Sequence, residues 1–103
     1  SPADYAAARA AQEQLYEALQ PILSNHDAIL TPAATGPALV GLDGTGSPMF
    51  NAIWTYLGMP CISLPLLDVE GLPVGVQLTG ARGSDASLLR IAAWLMQERP
   101  RTA

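Results

Sequence analysis

The chain has 103 residues, of which 50% are hydrophobic and 14% charged, with a formal net charge of −4 and a mean hydropathy of +0.23. Its five basic residues are all arginine, too few for a phosphate-tracking surface, which argues against nucleic acid as a partner. No run nears the roughly 18 apolar residues of a bilayer span, the start lacks the features of a signal peptide, and the single cysteine fits a reducing, cytoplasmic setting.

In chain order, Ser1-Pro2 followed by Asp4 predicts a helix start: a hydroxyl cap, proline in the first turn and an early acid. Tyr5, Ala8, Gln12, Leu15, Leu19 and Ile22, with Tyr16 and Leu23 beside them, follow helical spacing to an end near Ser24-Asn25. Pro21 cannot donate to the Glu17 carbonyl, so a kink or restart is expected there. Residues 28–32 (AILTP) read as a short buried strand. Residues 33–46 form a glycine-rich loop about as long as compact domains tolerate without a function.

Ser47-Pro48 repeats the capping pattern and predicts a second helix, with Met49, Phe50, Ile53, Trp54 and Leu57 on its apolar face. Gly58 and Pro60 mark its end. Residues 61–65 and 74–79 read as buried strands, joined through an acidic turn at 68–72 into an antiparallel hairpin. Ser84-Asp85 starts a last helix with Leu88, Leu89, Ile91, Ala92 and Leu95 on its apolar stripe and Arg90 and Arg99 off it. Residues 100–103 read as a frayed tail. The predicted class is α/β: helix, strand, loop, helix, strand, turn, strand, helix, forming part of a layered sheet flanked by helices. Three strands alone leave two open edges, and 14% charge is sparse against about 25% in ordinary domains. Both features point to faces that expect a partner; for the sparse charge, the other reading is a well-filled core in an alanine-rich protein.

Several strings carry a family likeness. They are HDAILTP at 26–32, Phe50-Asn51, LGMPCISLP at 57–65 and GLPVGVQLTG at 71–80, followed by the closing helix from Ser84 with Leu88-Leu89. Together, in this order and spacing, they resemble the C-terminal portion of an amidase signature family enzyme, with residues 1–103 as one partial domain. The resemblance implies a mixed sheet between helices and hydrolysis of a carboxamide C–N bond. It also implies a nucleophilic serine, a bridging serine in a cis peptide and a lysine base, with backbone N–H groups at a Gly/Ser-rich segment holding the oxyanion. This chain contains no lysine and no such segment. No catalytic residue is assigned, no cofactor or metal is implied, and the chain alone is expected to be inactive. The serine at position 1 fits an excised segment whose partner is the N-terminal remainder of the enzyme. The isolated piece is expected to self-associate, and no membrane partner is expected.

The resemblance places Thr45, Met49, Phe50, Ile53 and Trp54 beside the channel of a small-molecule amide substrate. The alternative for the apolar members is ordinary packing of an amphipathic helix. Asn51 is expected to pin the glycine-rich loop, and Gln77, an amide in an apolar strand, either ties strands to loops or faces the catalytic region. His26 reads as a helix C-terminal residue rather than a triad member, Cys61 as a small packed hydrophobe, and Asp68 and Glu70 as a solvated turn. One histidine and one cysteine do not make a metal site. Two other readings stay open: an amidotransferase A-type subunit, and a free-standing, non-catalytic α/β interaction module.

Overall fold

The computed structural model describes residues 1–98; Arg99 and the expected tail lie outside them. The elements are α1 (Pro2–Asn25), β1 (Ile29–Pro32), α2 (Ala52–Leu57), β2 (Cys61–Val69), β3 (Leu72–Thr79) and α3 (Asp85–Glu98). This is the predicted α/β order. The three strands make one sheet with β3 in the middle, in the order β1-β3-β2. Both pairings are antiparallel, so the parallel neighbours of a mixed sheet would have to be strands outside these residues.

α1 begins as its sequence dictates, with the Ser1 hydroxyl accepting the Asp4 N–H at 3.2 Å. It runs through Pro21 without a restart. No glycine closes it. Instead Ser24, Asn25 and His26 donate back to the carbonyls of Gln20, Pro21 and Ile22, the last from His26 Nδ1 at 2.9 Å. His26 thus has the helix-end role expected of it. None of α1 is buried, and Tyr5, Leu15 and Ile22 of its apolar stripe stay exposed.

The second helix starts later than its capping pattern predicts. The Ser47 hydroxyl accepts the Met49 N–H at 3.3 Å, and the Pro48 carbonyl accepts from both Asn51 and Ala52. Residues 49–51 are nevertheless a turn, and the helix proper begins at Ala52. Within this turn the Phe50 carbonyl receives the Gln77 side chain at 3.0 Å. At the other end Gly58 takes φ 67°, and the N–H groups of Gly58 and Met59 bond back to Thr55 and Trp54. These are the paired bonds of a Schellman ending.

The hairpin forms as predicted, but its strands are longer. Val69 pairs with Leu72, leaving Glu70 and Gly71 at φ 53° and 80° as the two-residue connection. Positive φ at both positions gives the turn the twist that hairpins favour, at a cost of about 1–2 kcal/mol for Glu70. The Asp68 carboxylate accepts the Gly71 N–H at 3.0 Å, and the tip is solvated as expected. Between Leu64↔Val76 and Leu67↔Val74 the register shifts by one residue. This bulge accommodates Pro65, which has no N–H for a ladder bond.

One face of the sheet packs on α3 through Leu64, Leu78, Leu88 and Ala92, with Ala28, Ile62, Leu66, Ile91, Leu95 and Met96 around them. Leu89, expected on the stripe, is instead exposed, because α3 meets the sheet along the 88/92/95 line. The apolar run of β2 predicts burial, yet only Leu64 of it is buried, since β2 is a sheet edge whose second face has no cover among the described residues. The accessible surface, 7404 Å², exceeds the roughly 5,500 Å² of a compact monomer this size. The radius of gyration, 16.3 Å, exceeds the expected ~13 Å. This flat slab, with apolar loop residues Val40 and Leu42 fully exposed, has faces that invite cover.

Candidate functional site

The register places Thr31, Gln77 and Ser63 in one row across the sheet, and Ile29, Thr79 and Cys61 in the next. These alternate with the α3-facing residues, so the opposite face of the sheet is largely polar. Gln77, buried in the middle strand, donates to Thr31 Oγ1 at 3.2 Å and to the Phe50 carbonyl at 3.0 Å. One side chain thereby ties β1, β3 and the turn before α2 together, the first of the two roles expected for it. Asn51 donates to the Ala33 carbonyl at 3.1 Å, and the Ala33 N–H bonds to the Gly75 carbonyl at 2.9 Å. The start of the glycine-rich loop is therefore pinned, as expected for Asn51.

Cys61 departs from its expected packed environment. It is exposed, with Sγ 3.2 Å from Thr79 Oγ1, because it opens the uncovered edge strand.

Of the five residues placed beside a channel, Thr45 lies exposed in the loop, Met49 and Ile53 are exposed, and Phe50 and Trp54 are half-buried. The sequence spaces Met49 and Ile53, and Phe50 and Trp54, four residues apart. The structure gives them an anchored base: α2 is fixed from below by Asn51 and Gln77, while Met49 and Ile53 look outward. The Trp54 indole N–H is buried without an acceptor among the described residues. Concavities among the described residues lie elsewhere. One of about 500 Å³ is lined by Asp27, Ser87, Arg90, Ile91 and Trp94, and one of about 180 Å³ by Pro60, Cys61, Ile62, Asp85, Leu88 and Leu89. Neither is lined by any of the five.

Sequence reasoning missed Arg82. Its Nε donates to the Leu57 carbonyl at 2.8 Å and its guanidinium pairs with Glu13 at 2.8 Å. It also lies 4.0 Å from the centroid of the Tyr16 ring, and its backbone N–H donates to the Tyr16 hydroxyl at 3.0 Å. The only sequence signal is a lone arginine between Ala81 and Gly83 in a strand-to-helix loop. Its partners lie 25, 66 and 69 residues away along the chain.

Glu13 is held below its ordinary value of 4.5, mainly by the hydrogen bond from Arg82; burial opposes this, and the charges of Arg82 and Arg9 reinforce it. A lowered carboxylate stabilises fully above its ordinary value, and that contribution is lost as pH falls through the lowered one. Exchange of the Arg82 amide, after correction for intrinsic rates, is therefore expected to be flat at neutral pH and to accelerate only once pH falls below the ordinary carboxylate value of 4.5. A corrected rate that stays flat even where the Glu13 carboxylate has been protonated contradicts a role for the pair in holding α1.

Residues 1–89 match the family described as Amidase. AmiB2 of Mycobacterium tuberculosis (strain ATCC 25618 / H37Rv) is 35% identical over 108 residues, covering 92% of this chain and 23% of that protein. A crystal structure of an amidase superposes with a TM-score of 0.77 at 31% identity, over 97% of this chain and 26% of that one. The A-type component of the glutamyl-tRNA(Gln) amidotransferase of Thermotoga maritima superposes with a TM-score of 0.70 at 30% identity, over 89% and 22%. The chain belongs to the amidase family, as its motifs indicate. It spans about a quarter of the length of these relatives.

Proposed function

We propose that this chain is the C-terminal scaffold of an amidase that hydrolyses a carboxamide C–N bond, and that the turn and helix from Thr45 to Trp54 wall its substrate channel. The nucleophile and base are supplied by other polypeptide, since no lysine is present here. The observation that carries the reading is the contrast within the turn at residues 49–51 and the start of α2. Its base is fastened through Asn51 and Gln77, while Met49 and Ile53 stay exposed. A rigidly held helix offering apolar side chains outward has the form of a pocket wall. The unpartnered Trp54 N–H agrees with it, because buried polar groups without partners concentrate where a structure serves something besides its own packing.

The test is kinetic. In the protein carrying this chain, Met49→Ala and Trp54→Phe are expected to alter the ratio of kcat/KM between bulky and small amides. One methylene-sized contact is worth roughly 10-fold or more in such a ratio. A uniform fall across all amides would mean that these residues only pack.

The second reading, an amidotransferase A-type subunit, rests on the likeness to the Thermotoga maritima protein. Glutamine favoured over all other amides would select it.

A further inference from the structure

We propose that Arg82 is the positioning residue of α2, fixing the helix by linking its last carbonyl to α1. The functional arm of this proposal rests on the channel-wall reading above; the structural arm does not.

The argument is an accounting of helix-end carbonyls. A helix leaves its last four C=O groups without intrahelical partners, and a helix of six residues is far below the length that sustains itself. In α2 the Trp54 and Thr55 carbonyls are taken by the N–H groups of Met59 and Gly58. The Tyr56 carbonyl receives the Gln12 side chain of α1. The Leu57 carbonyl belongs to a residue with 0% exposure and receives Arg82 Nε at 2.8 Å. A buried carbonyl without a partner is costly, so this bond decides whether the last turn closes where it does. Arg82 is itself held from the α1 side by Glu13 at 2.8 Å and by the Tyr16 ring at 4.0 Å. Tyr56 adds a further tie, its hydroxyl donating to the Ala8 carbonyl at 3.0 Å.

Two of the four end carbonyls are therefore satisfied from within α2 and the Schellman turn that closes it, and two by side chains that belong to α1 or are gripped by it. This explains a feature that packing alone does not: α1 has no buried residue yet is held against α2. The planar fork of arginine can serve the carbonyl and the carboxylate at once, whereas the point charge of lysine serves them poorly.

The experiment compares Arg82→Gln, Arg82→Lys and Glu13→Gln in the intact protein, reading hydrogen exchange at the Gly58 and Met59 amides with the Leu78 amide as reference. Arg82→Gln is expected to speed exchange at Gly58 and Met59 by roughly ten- to a hundredfold, the equilibrium factor of a hydrogen bond to a charged group, while Leu78 is unchanged. Arg82→Lys is expected to fail to restore protection. Glu13→Gln lies at an exposed position and leaves the Leu57 bond in place, so it is expected to give only about two- to fivefold. Unchanged Gly58 and Met59 rates in Arg82→Gln overturn the proposal. If that variant does not fold, unchanged rates in Glu13→Gln overturn it.

In kinetics, Arg82→Gln is expected to raise KM for bulky amides more than it lowers kcat, which general destabilisation would not do. Faster exchange at Gly58 and Met59 with unaltered amide preference would uphold the positioning role and remove the channel wall. Unaltered exchange beside a changed preference in Met49→Ala would do the reverse.

Discussion

Replacing Leu78 by alanine is expected to cost about 2–5 kcal/mol, the range for emptying a packed leucine site. Leu78 lies on the middle strand, paired with Leu30 on one side and Ile62 on the other, and packs with Leu64, Leu88 and Ala92. It joins both neighbouring strands to the α3 contact from the centre of this small core. Its core neighbours are fixed on the strands and on α3, so collapse can recover only part of the loss. Leu72→Ala at the exposed hairpin end is the control, expected to cost less than about 0.5 kcal/mol. Native-state hydrogen exchange at the β3 amides reads both. A Leu78 effect no larger than that at Leu72 would mean that the sheet–α3 core is not what holds the strands together.

The second large effect is expected at Gly75. A Cβ there would sit 2.9 Å from the Ala33 Cβ and closer still to the Ser63 hydroxyl. The serine can rotate away, but the alanine methyl is fixed to the chain that leaves β1. The Ala33 N–H is bonded to the Gly75 carbonyl at 2.9 Å, so the two backbones cannot separate without breaking that bond. Gly75→Val is therefore expected to cost about 1–3 kcal/mol, as overpacking usually does. It should also free the start of the loop, because Asn51 reaches the Ala33 carbonyl from the other side. Adding Ser63→Ala should recover only part of the loss. Full recovery would show that the hydroxyl, and not the alanine, was the obstacle.

Much of this architecture is legible in the residues. The hairpin follows from two apolar runs around an Asp-Val-Glu-Gly turn, whereas the shared face of Gln77 and Thr31 depends on the β1–β3 register, which the hairpin does not set. The Gln77 and Asn51 bonds are legible in kind, since a buried amide must find partners, although the partners themselves are not. Local patterns mislead where distant groups take part. Ser47-Pro48 reads as a helix start, yet the helix begins only at Ala52, and the turn between is tied to Gln77, 27 residues on from Phe50. Cys61 reads as buried because strand propensity carries no information on which strand lies at an edge. Arg82 is invisible because its partners are far away in sequence and its flanking residues carry no periodicity.

The five candidate channel residues are named by resemblance. The structure adds the fastening beneath them but no opposing wall among the described residues. The most direct measurement of the central claim is a structure of the intact protein with a bound amide analogue. The account predicts that Met49 and Ile53 lie within about 4 Å of the ligand, at van der Waals contact, while Asn51 and Gln77 keep their bonds to Ala33 and Phe50. Met49 and Ile53 packed wholly against other protein, with the ligand elsewhere, would contradict it.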